Sequence, residues 1–125
     1  MRYFIILLIV LITSAKCYAK HQFLEAEYQN YWCAANNGIT EYKLKDLARV
    51  DCLTETHAVE FDFAPKWAEC IGQALYYGIM TDKQPACCLI LENGMKDMKY
   101  YKRLKKVSKK TGISIYTIKP DIFTP

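Results

Sequence analysis

Past its first twenty residues, the chain switches repeatedly between two periods of hydrophobic repetition, and the switches divide it into helices and strands. Residues 22 to 35 set Phe23, Tyr28, Tyr31 and Trp32 on one side of a helix, and Ala35-Asn36-Asn37-Gly38 supplies a stop. Thr40-Glu41-Tyr42-Lys43-Leu44 alternates as a strand, with a turn at Lys45-Asp46. Two short apolar runs follow, Arg49-Val50-Asp51-Cys52-Leu53 and Ala58-Val59-Glu60-Phe61-Asp62-Phe63, each predicting a further strand. Pro65 opens a helix running from Lys66 to about Ile79, because its fixed φ suits a first turn. The run Ala86-Cys87-Cys88-Leu89-Ile90-Leu91 has no polar alternation and reads as a strand buried on both faces. A second helix covers roughly residues 95 to 110 and stops at Gly112, and Ile113-Ser114-Ile115-Tyr116-Thr117-Ile118 forms a last strand before Pro120. The order α-β-β-β-α-β-α-β predicts an α/β fold, a mixed sheet flanked by helices.

The acids inside this pattern change the picture. Asp51, Glu60 and Asp62 lie among Val, Leu and Phe, where an unpaired carboxylate is expensive. Alternation sends Glu60 and Asp62 to one face of their strand and Val59, Phe61 and Phe63 to the other. A divalent cation such as Mg2+ is a simple partner for such a group, since it prefers carboxylate and water oxygens. The plainer reading of an isolated Glu-x-Asp is an edge strand whose polar face meets water. The following helix weighs against it: Lys66, Cys70, Gln73 and Tyr77 fall on one stripe, beside an apolar stripe of Trp67, Ile71, Ala74 and Leu75.

Taken in order, Arg49-Val50-Asp51, Glu60-Phe61-Asp62 and Gln73-x-x-x-Tyr77 resemble the successive motifs of the PD-(D/E)XK nuclease superfamily, the last resembling its RecB-type branch. The similarity spans roughly residues 28 to 118. It implies a restriction endonuclease-like sheet, with Asp51, Glu60 and Asp62 as ligands of Mg2+ or Mn2+, Gln73 and Tyr77 shaping the site, and Glu41 as the match to the family's early acid. One departure stands out. Where the third motif carries lysine, this chain has Asp62, and Lys66 on the stripe of Gln73 and Tyr77 is the candidate to supply that cation from the helix. The resemblance thus implies metal-dependent hydrolysis of nucleic-acid phosphodiesters. The inverted charge at Asp62 supports an alternative, a nuclease-like domain without catalysis that serves as a binding or structural protein of the cell envelope.

The amino-terminal end bears on where the protein works. Met1-Arg2, the apolar run from Tyr3 to Ile12 and the small residues up to Ala19 have the layout of a secretory signal, and the apolar run is too short to span a bilayer. Residues 1 to 19 are therefore expected to be a cleaved signal, with cleavage after Ala15 as the alternative, and residues 20 to 125 a single domain. The product would be periplasmic or secreted, or membrane-anchored if cleavage fails. Without Arg2 and Lys16, 15 basic residues face 13 acidic ones, so net charge alone is no nucleic-acid signature. The basic residues do concentrate in the second helix, from Lys96 through Lys99, Lys102, Arg103, Lys105, Lys106 and Lys109 to Lys110. This is a face able to grip phosphates, although solvated helices often look the same. Of the cysteines beyond the signal, Cys33 and Cys52 are the first candidates for a disulfide because both flank the acidic strands, and Cys70 competes. No Cys-x-x-Cys spacing suggests zinc.

Overall fold

In the computed structural model, which describes residues 20–125, a five-stranded mixed sheet is flanked by three helices, in the order α1 (Glu25–Ala35), β1 (Ile39–Lys43), β2 (Arg49–Leu53), β3 (His57–Phe63), α2 (Trp67–Thr81), β4 (Gln84–Ile90), α3 (Met98–Thr111) and β5 (Ser114–Ile118). The strands lie side by side in chain order. β1, β2 and β3 form an antiparallel meander, and β4 and β5 add parallel to it through the crossovers that carry α2 and α3. The sequence pattern finds each of these elements to within a few residues. It misses the short 3-10 turns Ala64–Lys66, Gly94–Lys96 and Pro120–Phe123. The expected secretory signal falls outside the described residues. Among those residues, no helix is long and apolar enough to cross a membrane.

β3 divides the interior. Val59, Phe61 and Phe63 join Ala86, Cys88, Ile90 and Ile118 beneath α1, whose Tyr28 and Cys33 are fully buried. On the other face, Cys87 and Leu89 meet Cys70 and Ala74 of α2 and Leu104 of α3. Tyr31, expected on the packing side of α1, is instead 49% exposed, touching only the edge of the Phe123 ring. The aromatic side of α1 is filled by Tyr28, Phe23 and Trp32, with Phe123 folding back from the carboxyl end. α3 buries Leu104 and turns its lysines outward, while Lys99 and Arg103 lie over the Tyr100 ring.

Cys33 and Cys52 are joined, tying the end of α1 to β2 across a sequence separation of 19. A loop of that size contributes about 3 kcal/mol through the entropy of the unfolded chain. Gly38 passes close against the bond: a Cβ there would stand 2.5 Å from the Cys52 Sγ and 2.6 Å from the Cys33 Sγ, so no larger residue fits.

Candidate functional site: a row of carboxyls across the sheet

The backbone ladder of the sheet fails at one level, and acidic side chains occupy the gap. β1 and β2 pair at Thr40 with Cys52 and at Tyr42 with Val50, which puts Glu41 opposite Asp51. Glu41 has φ +53°, a left-handed conformation that takes it out of the pleat. β2 and β3 pair at Leu53 with Ala58 and Cys52 with Val59, so the next rung would join Asp51 to Glu60. Side chains replace that rung. The Asp51 N–H donates to Glu60 Oε1 at 3.1 Å, and the Phe61 N–H donates to Asp51 Oδ2 at 2.8 Å. Glu60 in turn lies level with Cys87 of β4. The strands therefore carry Glu41, Asp51 and Glu60 in one transverse row. β2 changes face across that row: Val50 packs with Ala58 and Tyr77, while Cys52, two residues on, packs with Val59 beneath α1.

Two residues of α1 complete the arrangement, and sequence reasoning missed both. Gln29, 4% exposed, donates through Nε2 to Glu41 Oε1 at 2.9 Å and to the Asp51 carbonyl at 2.7 Å. Glu25, one turn earlier, is half-buried within the field of Asp62, Asp51 and Glu41. The signal was present: Glu25, Gln29 and Cys33 recur every four residues, one stripe of the helix that also holds the disulfide.

Electrostatics set this row apart. Burial, followed by the Asp51 charge, pushes the Glu60 carboxyl well above the usual range. Burial raises Asp51 as well, against the opposing pull of the Phe61 N–H and Glu60. Asp62, 5% exposed, is raised to about 6, chiefly by burial, with Lys66 opposing the rise. Glu25 is raised to about 7 by burial and then by the Asp62 and Asp51 charges. Tyr77, near the far end of α2 and buried, is raised by burial and then by Glu60 and Asp51. No salt bridge offsets these acids among the described residues, and burial shifts Asp51, Glu60, Asp62 and Glu25 toward the protonated form relative to free carboxyls.

The other expected members of the site divide. Lys66 is exposed at the start of α2, where it acts on Asp62 and Glu25 through its field; it forms no salt bridge among the described residues. Gln73 is exposed, whereas Cys70 and Tyr77 of the same stripe are buried, so the stripe grades from the sheet to solvent. A cavity of about 440 Å³ opens elsewhere, where Tyr42, Leu53 and Met80 lie among Lys43, Lys45 and Lys83; it holds none of the carboxyls. Both histidines have structural partners. His21 stacks on Phe63 and bonds to Glu92 at 2.9 Å; His57, the first residue of β3, sits between Thr56 Oγ1 and Ser114 Oγ.

Among the described residues, no group of three or more His, Cys, Asp or Glu side chains is gathered closely enough to hold a metal ion, so Asp51, Glu60 and Asp62 share a region without closing around one point. The donor chemistry nevertheless suits a hard divalent cation, since the row offers carboxylate oxygens alone. Mg2+ commonly takes one or two carboxylates and fills its remaining positions with water and phosphate oxygens. The Asp51 and Glu60 carboxyls, each held by a backbone N–H across the gap between β2 and β3, are the two that would meet that requirement.

No protein-family model, curated protein or solved structure matches this chain.

Proposed function

We propose that the protein is a metal-dependent nuclease of the PD-(D/E)XK type that acts on nucleic-acid phosphodiesters at the Glu41, Asp51 and Glu60 row. The observation that carries this reading is the replacement of a backbone rung by the Asp51 and Glu60 side chains. A sheet surrenders a ladder bond at some expense, and here the exchange gives the Glu60 carboxyl the Asp51 N–H and the Asp51 carboxyl the Phe61 N–H. Asp51 and Glu60 would hold Mg2+ or Mn2+, which when bound lowers the pKa of a coordinated water and stabilises charge on phosphate oxygens. Lys66 is placed to stabilise developing negative charge from the solvent side, and Asp62 and Glu25, at about 6 and 7, are poised to exchange protons near neutral pH. The lysines of α3 would hold the phosphate backbone through long-range attraction.

The full-length protein incubated with single- and double-stranded DNA and RNA, with Mg2+ or Mn2+, tests the reading. Cleavage is expected and should vanish in Asp51→Asn and Glu60→Gln. Persistence of cleavage in both variants would refute the site, and full metal-dependent activity in Lys66→Ala would remove the lysine from it.

One observation favours a second reading, a nuclease-like binding or structural domain without catalysis. The cations and amides expected at the site, Lys66 and Gln73, face solvent, and the third carboxyl, Asp62, stands where a lysine would complete the chemistry. On that reading neither Mn2+ binding nor cleavage would be seen, while salt-sensitive nucleic-acid binding through Lys96 to Lys110 could remain.

A further inference from the structure

The row of acids continues into a sulfur pair that the proposed reaction does not use. Cys87 on β4 stands level with Glu60, and Cys70 on α2 comes down onto the same place. The Cys70 thiol lies 3.4 Å from the Glu60 carbonyl oxygen, to which it can donate, and so meets β3 at the residue that Cys87 pairs with on β4. Both side chains are fully buried in one apolar cluster with Ala74, Leu89 and Leu104. Cys88, the neighbour of Cys87, points to the opposite face beneath α1, with β3 and β4 between it and Cys70. Among the described residues, the free cysteines thus form one pair on the α2 side of the sheet and one thiol on the other side. Packing alone asks only for small apolar side chains; it does not ask that both be cysteine.

We propose that Cys70 and Cys87 are an oxidisable dithiol, a modification site at which a small disulfide such as oxidised glutathione closes a second internal bond joining α2 to β4 directly beneath Glu60. The chemistry is thiol–disulfide exchange. One cysteine sulfur attacks the small disulfide, a sulfur–sulfur bond forms to the protein, and the first small thiol leaves with a proton. The second cysteine then displaces the second small thiol, so two electrons pass from the protein to the reagent and two protons leave on the released thiols. Burial keeps both thiols out of reach in the closed state. The reaction therefore proceeds through local opening of α2 and is slower than that of an exposed thiol. Oxidation withdraws the Cys70 proton donor from the Glu60 carbonyl and draws α2 toward β4 at the level of the acids. The pair stands whether or not the acids are catalytic.

The test is peptide mapping of the full-length protein after incubation with oxidised glutathione, trapping with an alkylating agent, unfolding and digestion with trypsin. Peptides 67–83 and 84–96 should appear linked and lighter by two hydrogens, with the Cys70 to Cys87 bond assigned by fragmentation and Cys88 alkylated only after unfolding. Reduced glutathione should reverse the linkage while Cys33 and Cys52 stay joined. Failure of the two peptides to link, linkage through Cys88, or glutathione remaining as a stable adduct on either cysteine would each overturn the proposal. Because the readout is mass, linked peptides from a protein that cleaves no nucleic acid would refute the nuclease reading alone.

Discussion

Two regions of this molecule bury carboxyl groups, and they do so in opposite ways. At the end of β4, Glu92 has its side chain 5% exposed and is surrounded by donors: the N–H groups of Gln22 and Phe23 at 3.0 and 3.3 Å, the Tyr28 hydroxyl at 2.8 Å and His21 at 2.9 Å. Those partners outweigh burial and hold its carboxyl below the ordinary range. At Asp51 and Glu60 the donors are two backbone N–H groups, the other neighbours are acids, and burial raises both carboxyls. Glu92 is an anchor that needs its charge to hold the incoming chain against Phe63 and Tyr28. Asp51 and Glu60 are carboxyls that burial biases toward the protonated form and that no salt bridge offsets among the described residues, so an external cation would have to displace their protons.

Removing the anchor should produce the largest effect. Glu92→Ala strands the hydroxyl of fully buried Tyr28 and frees residues 20 to 23, and should lower stability by about 3 kcal/mol in urea unfolding. A loss under about 0.5 kcal/mol would show that the donors find water instead and that the contrast between the regions is false.

The pH dependence of unfolding should separate the two regions next. Glu25 and Asp62 have folded values raised from 4.5 to about 7 and from 3.8 to about 6, so their contribution is complete below the unfolded values and is lost as pH rises through the folded ones. Glu92, lowered, behaves in reverse: its contribution holds above 4.5 and is lost as pH falls through its depressed folded value. Between pH 4.5 and 7.5 stability should therefore fall by ~1–2 kcal/mol, allowing for the partial exposure of Glu25 and Asp62. Mn2+ should recover about 1 kcal/mol of this at pH 7.5, a shift in Tm of roughly 4–8 °C, and nothing at pH 4.5, where protons hold the oxygens. Calorimetry across that range checks it, and equal stabilisation by Mn2+ at both pH values would place the metal elsewhere.

How much of this was legible in the sequence follows from the physics of each part. The order of elements could be read because strand and helix periods alternate cleanly, and the run from Ala86 to Leu91, apolar throughout, marks the buried strand that lies parallel between β3 and β5. Alternation likewise separated Glu60 and Asp62 from Phe61. The failure of the ladder at Asp51 could not be read, because it depends on Glu41 adopting a left-handed backbone, which no local pattern around Thr40-Glu41-Tyr42 announces. Helical spacing grouped Lys66, Cys70, Gln73 and Tyr77, but periodicity fixes only relative angles. How far the helix rolls against the sheet decides that Cys70 and Tyr77 are buried while Gln73 meets solvent. Glu25 and Gln29 went unread because their partners lie on β1, β2 and β3, contacts that only the closed fold creates.

Within the row, Gln29 is the element that most resembles the Glu92 anchor. Gln29→Ala leaves the Asp51 carbonyl and Glu41 without a donor and should cost about 1–2 kcal/mol in urea unfolding. It should also weaken Mn2+ binding, since Asp51 would lose the support that holds its strand in place. A variant with unchanged metal affinity would show that α1 steadies the fold alone.

The smallest effect should come from Lys66, and it bears most directly on whether the row is left short of positive charge. Lys66→Met removes an exposed cation that forms no salt bridge, so stability should change by less than about 0.5 kcal/mol. The same change removes the field that opposes burial at Asp62 and Glu25. Both carboxyls should then titrate at higher pH than in the wild type, near 6 and 7, as followed by NMR of the carboxyl carbons. If neither titration moves, Lys66 lies outside the field of the row, and the only positive charge assigned to it would be gone.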